Sequence, residues 1–165
     1  MTVVRDIFGW LGEAEATELR RLAVDANVIE IGSHHGRSTV VMAEVARLVV
    51  AVDHHQGDSA CKSGSILPFL TNLGMYHVRE KVIPMVADSM AACAVLMNGY
   101  FDLAFIDGDH AVENVVRDVR AVRRLVRPGG VVAFHDATFK TVQQAIAECG
   151  LPEGYMVERT RFIPM

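Results

Sequence analysis

An α/β fold, a doubly wound and mostly parallel sheet of six to seven strands with helices on both faces, is what this amino-acid sequence predicts. Apolar runs of strand length alternate with stretches of helical periodicity, and each run closes on a polar or acidic residue. The runs are near-continuously apolar, which indicates parallel strands covered on both sides; a sheet open to water on one side would alternate apolar with polar.

The first expected element is a helix over 13–26, where Leu19, Leu22, Ala23 and Ala26 fall at helical spacing between charges. Phe8 and Trp10, just before it, read as packing anchors rather than ligand contacts. Strands are expected at 27–31, 48–53, 82–87, 102–107 and 131–135, with helices at 38–47, 65–73, 89–97 and 111–125 between them. Arg127-Pro128-Gly129-Gly130 reads as a tight turn that launches the fifth strand. After a further helix near 141–148, residues 155–162 alternate enough for a sixth strand, and the last few residues leave room for only a stub of a seventh.

With 165 residues, 51% of them apolar, the chain suits one domain with a single core: a helical segment over 1–26 and an α/β core over 27–165. A separate substrate domain has no room. Net charge is −4, and the only dense basic run, Arg117, Arg120, Arg123, Arg124 and Arg127, faces several directions on a helix, so nucleic acid is not an expected partner. Cys61, Cys93 and Cys149 match no zinc or redox spacing; they read as small buried or half-buried residues in a reducing, cytoplasmic setting. Asp6, Glu13 and Glu15 interrupt any signal-peptide run, and no stretch reaches membrane-spanning length, so no membrane partner is expected.

Ligands of doubly wound sheets lie beyond the carboxyl ends of the strands. There the sequence gathers Glu30, Asp53, Asp88, Asp107 and the pair His135-Asp136. The stretch Glu30-Ile31-Gly32-Ser33-His34-His35-Gly36-Arg37-Ser38 sets a carboxylate and two glycines on a turn between the first strand and the next helix. A dinucleotide fingerprint, G-x-G-x-x-G, would need glycine where, aligned on Gly32, His34 and Arg37 stand. The fingerprint therefore fails. Glu30 would repel a pyrophosphate and suits a ligand carrying an ammonium and a sulfonium, as S-adenosylmethionine does.

Taken together, these stretches resemble the class I S-adenosylmethionine-dependent methyltransferases, and more narrowly the small bacterial O-methyltransferases related to cephalosporin-pathway, macrolide-sugar and catechol O-methyltransferases. The resemblance spans roughly residues 13–140. It is carried by Glu30-x-Gly32-x-x-x-Gly36-x-Ser38, Val52-Asp53 followed by Gly57-Asp58, Ala87-Asp88-Ser89, the run from Phe101-Asp102 to Asp107-Gly108-Asp109-His110, and Leu125-Val126-Arg127-Pro128-Gly129-Gly130 leading to His135-Asp136. It implies a Rossmann-like sheet with an antiparallel final strand. It also implies a set of cofactor-binding residues: Gly32, Ser33, His34 and Gly36 at the methionine moiety, Glu30 near its amino group, Asp53 at the ribose, Asp88 and Ser89 at the adenine, Ser38 and His54 nearby, and Asp107 under the methyl-transfer locus.

In relatives that use Mg2+, the metal positions fall on Asp107, His135 and Asp136. Imidazole suits Mg2+ poorly and transition metals better, so the resemblance implies Mg2+ or a transition metal, His135 standing behind the ligands, or a metal-free site. His110 occupies the place of a general base in relatives and is expected to be catalytic with Asp107; an imidazole's unperturbed pKa near ~6.5 suits that task. Asp109 would orient His110 or cap the following helix. The pairs His34-His35 and His54-His55 are explained as well by backbone geometry as by catalysis.

The expected activity is O-methylation of a small hydroxylated molecule, with a divalent cation assisting. The alternative is a catalytically reduced S-adenosylmethionine-binding protein, or a subunit whose pocket a homo-oligomer completes. Its motive is a chain that offers only 58–65 and the first dozen residues for a substrate pocket and lacks a full final hairpin.

Overall fold

The computed structural model describes residue 4 and residues 6–57 and 64–165. Cys61 and the Asp58 of the expected motif, with most of the expected pocket segment 58–65, lie outside the described residues. The elements run α1 (Glu13–Ala23), β1 (Asn27–Ile31), α2 (Arg37–Ala43), β2 (Leu48–Asp53), α3 (Ile66–Met75), a single 3-10 turn (Arg79–Lys81), β3 (Val82–Val86), α4 (Ser89–Ala94), β4 (Phe101–Ile106), α5 (Val112–Arg123), β5 (Val126–Phe134), α6 (Lys140–Glu148), β6 (Tyr155–Val157) and β7 (Thr160–Pro164). No helix among the described residues is long and apolar enough to cross a membrane.

The seven strands form one sheet in the order β3-β2-β1-β4-β5-β7-β6. The first five are parallel, while β7 runs antiparallel to β5 and β6 antiparallel to β7. Because successive strand residues point to opposite faces, β1 sends Val28 into one apolar layer with Leu19 of α1, Met42 of α2 and Phe69 of α3. Its neighbour Ile29 enters the other, with Cys93 of α4, Val122 of α5 and Ile146 of α6. Both faces are thus covered by helices, which is why these strands carry no polar alternation.

Register decides what the strand ends bring together. Ile31 pairs with Val52 on one side and Ile106 on the other, Asp53 pairs with Val86, and Ile106 pairs with Phe134. Gly32, Asp53, Asp107 and His135 therefore emerge side by side along one edge of the sheet, with Asp88 just beyond β3.

Several boundaries differ from those expected. Helix α2 stops at Ala43 because the residues after it bond to the segment before β1: Asp25 N–H donates to Val45 O (3.1 Å) and Arg47 N–H to Ala26 O (2.9 Å). Helix α4 stops at Ala94, where Val95 and Leu96 tighten into bonds reaching only three residues back. Pro128-Gly129-Gly130 lies inside β5 rather than launching it; the pairing with β4 jumps from Phe101↔Val126 to Leu103↔Val131, and Gly129 at φ +80 accommodates the bulge.

The largest correction is at the end of the sheet. The alternating stretch 155–162 is not one strand but a hairpin, folded at Glu158-Arg159 with Glu158 at φ +50 and Val157 paired to Thr160. A two-residue loop preserves the alternation on both sides, so periodicity alone reads straight through it. The final hairpin is present.

Candidate functional site

Beyond the strand ends lies a cleft of about 560 Å³. Its lining includes Gly32, Ser33, His34, Ser38, Asp53, His54, Asp88, Ser89, Asp107, His110, His135 and Asp136. Of the site residues expected from sequence, only Glu30 and Gly36 are not in its wall.

The turn after β1 shows why. Gly32 has φ +87, and a Cβ there would sit 2.2 Å from the carbonyl oxygen of Asp107, so no other residue lets β1 and β4 end side by side. Gly36, also at φ +87, precedes α2; a Cβ on it would press on the ring of Phe69 at 3.0 Å. Its role is conformational. Glu30 is fully buried beneath the turn and accepts hydrogen bonds from Ser38 Oγ (2.5 Å) and from Thr39 Oγ1. Burial pushes its carboxyl up to about 8, against the opposing effect of the two hydroxyls. Glu30 thus stands as a buried strut under the turn, outside the cleft wall, with both carboxyl oxygens taken by hydroxyls of α2.

Asp53, at the end of β2, clamps two loops at once. Its Oδ2 accepts the backbone N–H of His34 and its Oδ1 that of His55, each at 2.7 Å. Both histidines have positive φ, +46 and +54, and the clamp helps to hold them there. The Ser33 hydroxyl and His34 Nε2, both at the cleft wall and shielded from water, have no hydrogen-bond partner among the described residues. His54 accepts the backbone N–H of Gln56 through Nδ1 (3.0 Å).

At the far end of the cleft, Asp88 caps α4, accepting from the backbone N–H groups of Met90 (2.9 Å) and Ala91 (3.3 Å), and pairs with Arg117 Nη2 at 3.0 Å. Slight desolvation works against its ionised form, but these donors outweigh it and lower its pKa. Ser89 donates to Asp118 Oδ1 (2.5 Å). Asp118, buried and with its pKa raised by that burial, also faces the cleft, a placement that its position inside a helix did not reveal.

The third group forms where β4 and β5 end. His135 is buried with its Nδ1 at 3.0 Å from Asp107 Oδ1 and 3.3 Å from Asp136 Oδ2, and its Nε2 at 3.7 Å from Glu15 Oε2. Burial alone would depress the imidazole, yet the surrounding carboxylates raise it to about 10. The sequence led to His135 as a ligand beside Asp107 and Asp136; the set whose ligand atoms converge does not include it, and His135 stands against both aspartates. In its place the structure brings His110, whose Nε2 is 3.2 Å from Asp136 Oδ2; ligand atoms of Asp107, His110 and Asp136 all lie within 4.8 Å of one another. Desolvation raises the Asp107 carboxyl above the usual range, and His135 opposes that rise. Asp109 accepts the backbone N–H of Ala111 (2.6 Å), so the partner of the His110 ring is Asp136.

Sequence reasoning missed Glu15. It is fully buried on α1, with Oε2 accepting from Gly12 N–H (2.8 Å) and Oε1 from Thr160 Oγ1 (2.6 Å). Burial would raise its carboxyl, but His135, Thr160 and Gly12 bring it down to about 2. Gly12-x-x-Glu15 has the spacing at which a glutamate reaches back to the residue before a helix, and that was the available signal.

Residues 29–137 match a family described as a methyltransferase domain. Among solved structures, the chain is similar to cofactor-bound Rv0187 from MTB, at 22% identity and a TM-score of 0.74, with 93% of this chain and 81% of that one covered. It is similar to the O-methyltransferase TomG from Streptomyces achromogenes, involved in tomaymycin synthesis and in complex with SAM, at 16% identity, TM-score 0.72, and coverage of 94% and 82%. An O-methyltransferase from Bacillus cereus in complex with SAH matches at 17% identity, TM-score 0.71, and coverage of 94% and 83%. At these identities the likeness shows a shared fold.

Proposed function

The chain belongs to the methyltransferase-domain family, and on that premise we propose that it transfers a methyl group from S-adenosylmethionine to a hydroxyl oxygen of a small molecule. The observation that carries this reading is one cleft in which Asp88, Asp53 and the Gly32-Ser33-His34 turn follow one another along the sheet edge, from β3 through β2 to β1, and adjoin the acid–base group Asp107, His110 and Asp136 at the ends of β4 and β5. The TomG and Bacillus cereus neighbours, described with SAM and SAH, support the choice of donor.

In this reading the unpartnered Ser33 hydroxyl and His34 Nε2 receive polar groups of the methionine moiety, Asp53 accepts from the ribose through lone pairs left over from its two backbone bonds, and Ser89 and Asp118 border the base. The donor supplies an electrophilic methyl group: the acceptor oxygen forms the new O–CH3 bond as the S–CH3 bond breaks, its electron pair remaining on sulfur. The chain's own task is alignment and proton removal. His110 takes the hydroxyl proton, and Asp136 beside it stabilises the imidazolium so formed. His135 offsets the charge of the carboxylates without competing for that proton.

A second reading adds a divalent cation, favoured by the convergence of Asp107, His110 and Asp136. The donor set fits: two carboxylates and one imidazole suit a transition metal better than Mg2+, and His135 would support both carboxylate ligands from behind. A cation there would orient the acceptor oxygen and lower its pKa.

Calorimetry with S-adenosylhomocysteine tests the donor assignment. Saturable binding is expected, and its absence at millimolar ligand in a folded sample would overturn it.

A further inference from the structure

Asp88, the carboxylate that the sequence sets at the adenine end of the cleft, is committed elsewhere. Its Oδ1 accepts the N–H groups of Met90 and Ala91 and its Oδ2 faces Arg117. The side chain is 58% exposed, and an ion pair open to water discriminates weakly between ligands. Ser89 gives its hydroxyl proton to Asp118 Oδ1. The group left without a task is the other oxygen of Asp118.

Asp118 lies in the middle of α5, where Val115, Val119 and Val122 enter the apolar layer under the sheet. At 6% exposure it is nearly as buried as they are, yet it stands in the cleft wall. Asn114, one helical turn earlier on the same face, lines the cleft too. Carboxylates are rarely buried unless their oxygens are satisfied. Oδ1 has Ser89, whereas Oδ2 has no hydrogen-bond partner among the described residues. Gly108 leaves room beside that oxygen, since a Cβ there would stand 3.4 Å from it. Burial raises the pKa of Asp118, and Ser89 and Arg117 oppose that rise. With the ribose on Asp53, the base of the ligand extends to the start of α4, where Ser89 meets α5.

We propose that Asp118 selects the base of the methyl donor: its Oδ2 accepts an N–H of the 6-amino group of adenine, and the site thereby rejects a 6-oxo purine. This selection rests on the S-adenosylmethionine assignment. An amino group brings the proton that the buried carboxylate lacks. A 6-oxo group brings a second acceptor to the same place, so two lone pairs face each other with no proton between them, in a wall that holds little water to relieve them. Sites built around a hydrogen bond discriminate most strongly against analogues that cannot make it. The selecting group thus comes from the middle of a helix, on a side chain held by Ser89, and not from the loop after β3.

Calorimetry on the unsubstituted chain reads the selection directly. S-Adenosylhomocysteine should bind about 10²-fold more tightly than its deaminated analogue S-inosylhomocysteine, the worth of a charge-assisted hydrogen bond replaced by two facing acceptors. The analogue with hydrogen at position 6 loses the bond without gaining the repulsion, and should bind about tenfold more weakly than S-adenosylhomocysteine. Asp118→Asn keeps an oxygen for Ser89 and turns an NH2 group toward the base, so the preference for adenine over the 6-oxo base should shrink at least tenfold. Equal binding of the three ligands to the unsubstituted chain would overturn the proposal without any variant. So would a folded Asp118→Asn chain in which both affinities fall by one factor, because a side chain that only supports Ser89 would leave the ratio unchanged. Absence of S-adenosylhomocysteine binding to the unsubstituted chain would instead sink the donor assignment, and the selection with it.

Discussion

Glu15 on the first helix and His135 at the end of the fifth strand face each other in the core, with Glu15 Oε2 at 3.7 Å from His135 Nε2 and neither side chain more than marginally exposed. Through this contact the N-terminal helix sets the imidazole that neutralises Asp107 and Asp136. Glu15→Ala leaves a buried imidazolium short of one partner and should cost about 3 kcal/mol, toward the lower end of broken buried pairs because the two aspartates remain. Urea unfolding at neutral pH measures it.

Acid should act through the same carboxyl. Its pKa is about 2 in the folded chain against an ordinary 4.5, so the unfolded chain takes up the proton first as pH falls. The stability Glu15 contributes is fully present above pH 4.5 and is lost between 4.5 and 2. Unfolding midpoints of Glu15→Gln should be correspondingly flatter across that window.

Glu30 should show the opposite sign. With a folded pKa of about 8 against 4.5, the unfolded chain releases the proton first as pH rises, so stability falls between pH 4.5 and 8 and levels off above. Glu30→Gln removes the titrating group and should gain on the parent chain across that window, by at most about 5 kcal/mol. A thermal-shift series from about pH 5 to 8.5 would settle the sign; a parent chain that gains stability over that range contradicts the strut.

Gly32→Ala sets a methyl group 2.2 Å from the Asp107 carbonyl at a left-handed φ of +87. Backbone strain and overpacking together should cost about 2–6 kcal/mol. Where the variant stays folded, separation of the ends of β1 and β4 should abolish S-adenosylhomocysteine binding, read by calorimetry.

His110→Ala should lower kcat by about 10²–10⁴-fold, the usual worth of a positioned base, with S-adenosylhomocysteine affinity intact. EDTA separates the two readings of the trio. Activity that survives chelation in the parent chain assigns His110 to proton transfer alone, whereas loss restored by Mn2+ assigns Asp107, His110 and Asp136 to a cation.

Much of the frame was legible in the sequence. β1 and β2 fall on the expected residues because both are buried on two faces and bounded by polar residues, and the expected strand ends sit along one edge as the register requires. What escaped depended on contacts distant in sequence. Glu15 looks like any charge on an amphipathic helix until Thr160 and His135 close over it. Glu30 looks like a ligand group until Ser38 and Thr39 turn back under it. Phe8 and Trp10 look like core until Arg37, on the Gly9 carbonyl, and Arg159, on the Trp10 carbonyl, hold them at the cleft wall. Glu158 hides a turn inside an unbroken alternation.

The strand order bears on when the cleft comes into being. Strand β7 lies between β5 and β6, and the Ala137 N–H, next after His135-Asp136, bonds to the carbonyl of Arg159 in the hairpin loop. During synthesis, five parallel strands can assemble while the outer edge of β5 stays bare, a template for mispairing. Only when the hairpin folds in does that edge close, and the same event delivers the Arg159 guanidinium to Asp136 and Trp10. One hairpin thus does two jobs: it covers the outer edge of β5 and carries the guanidinium that ties Asp136 to the Trp10 backbone.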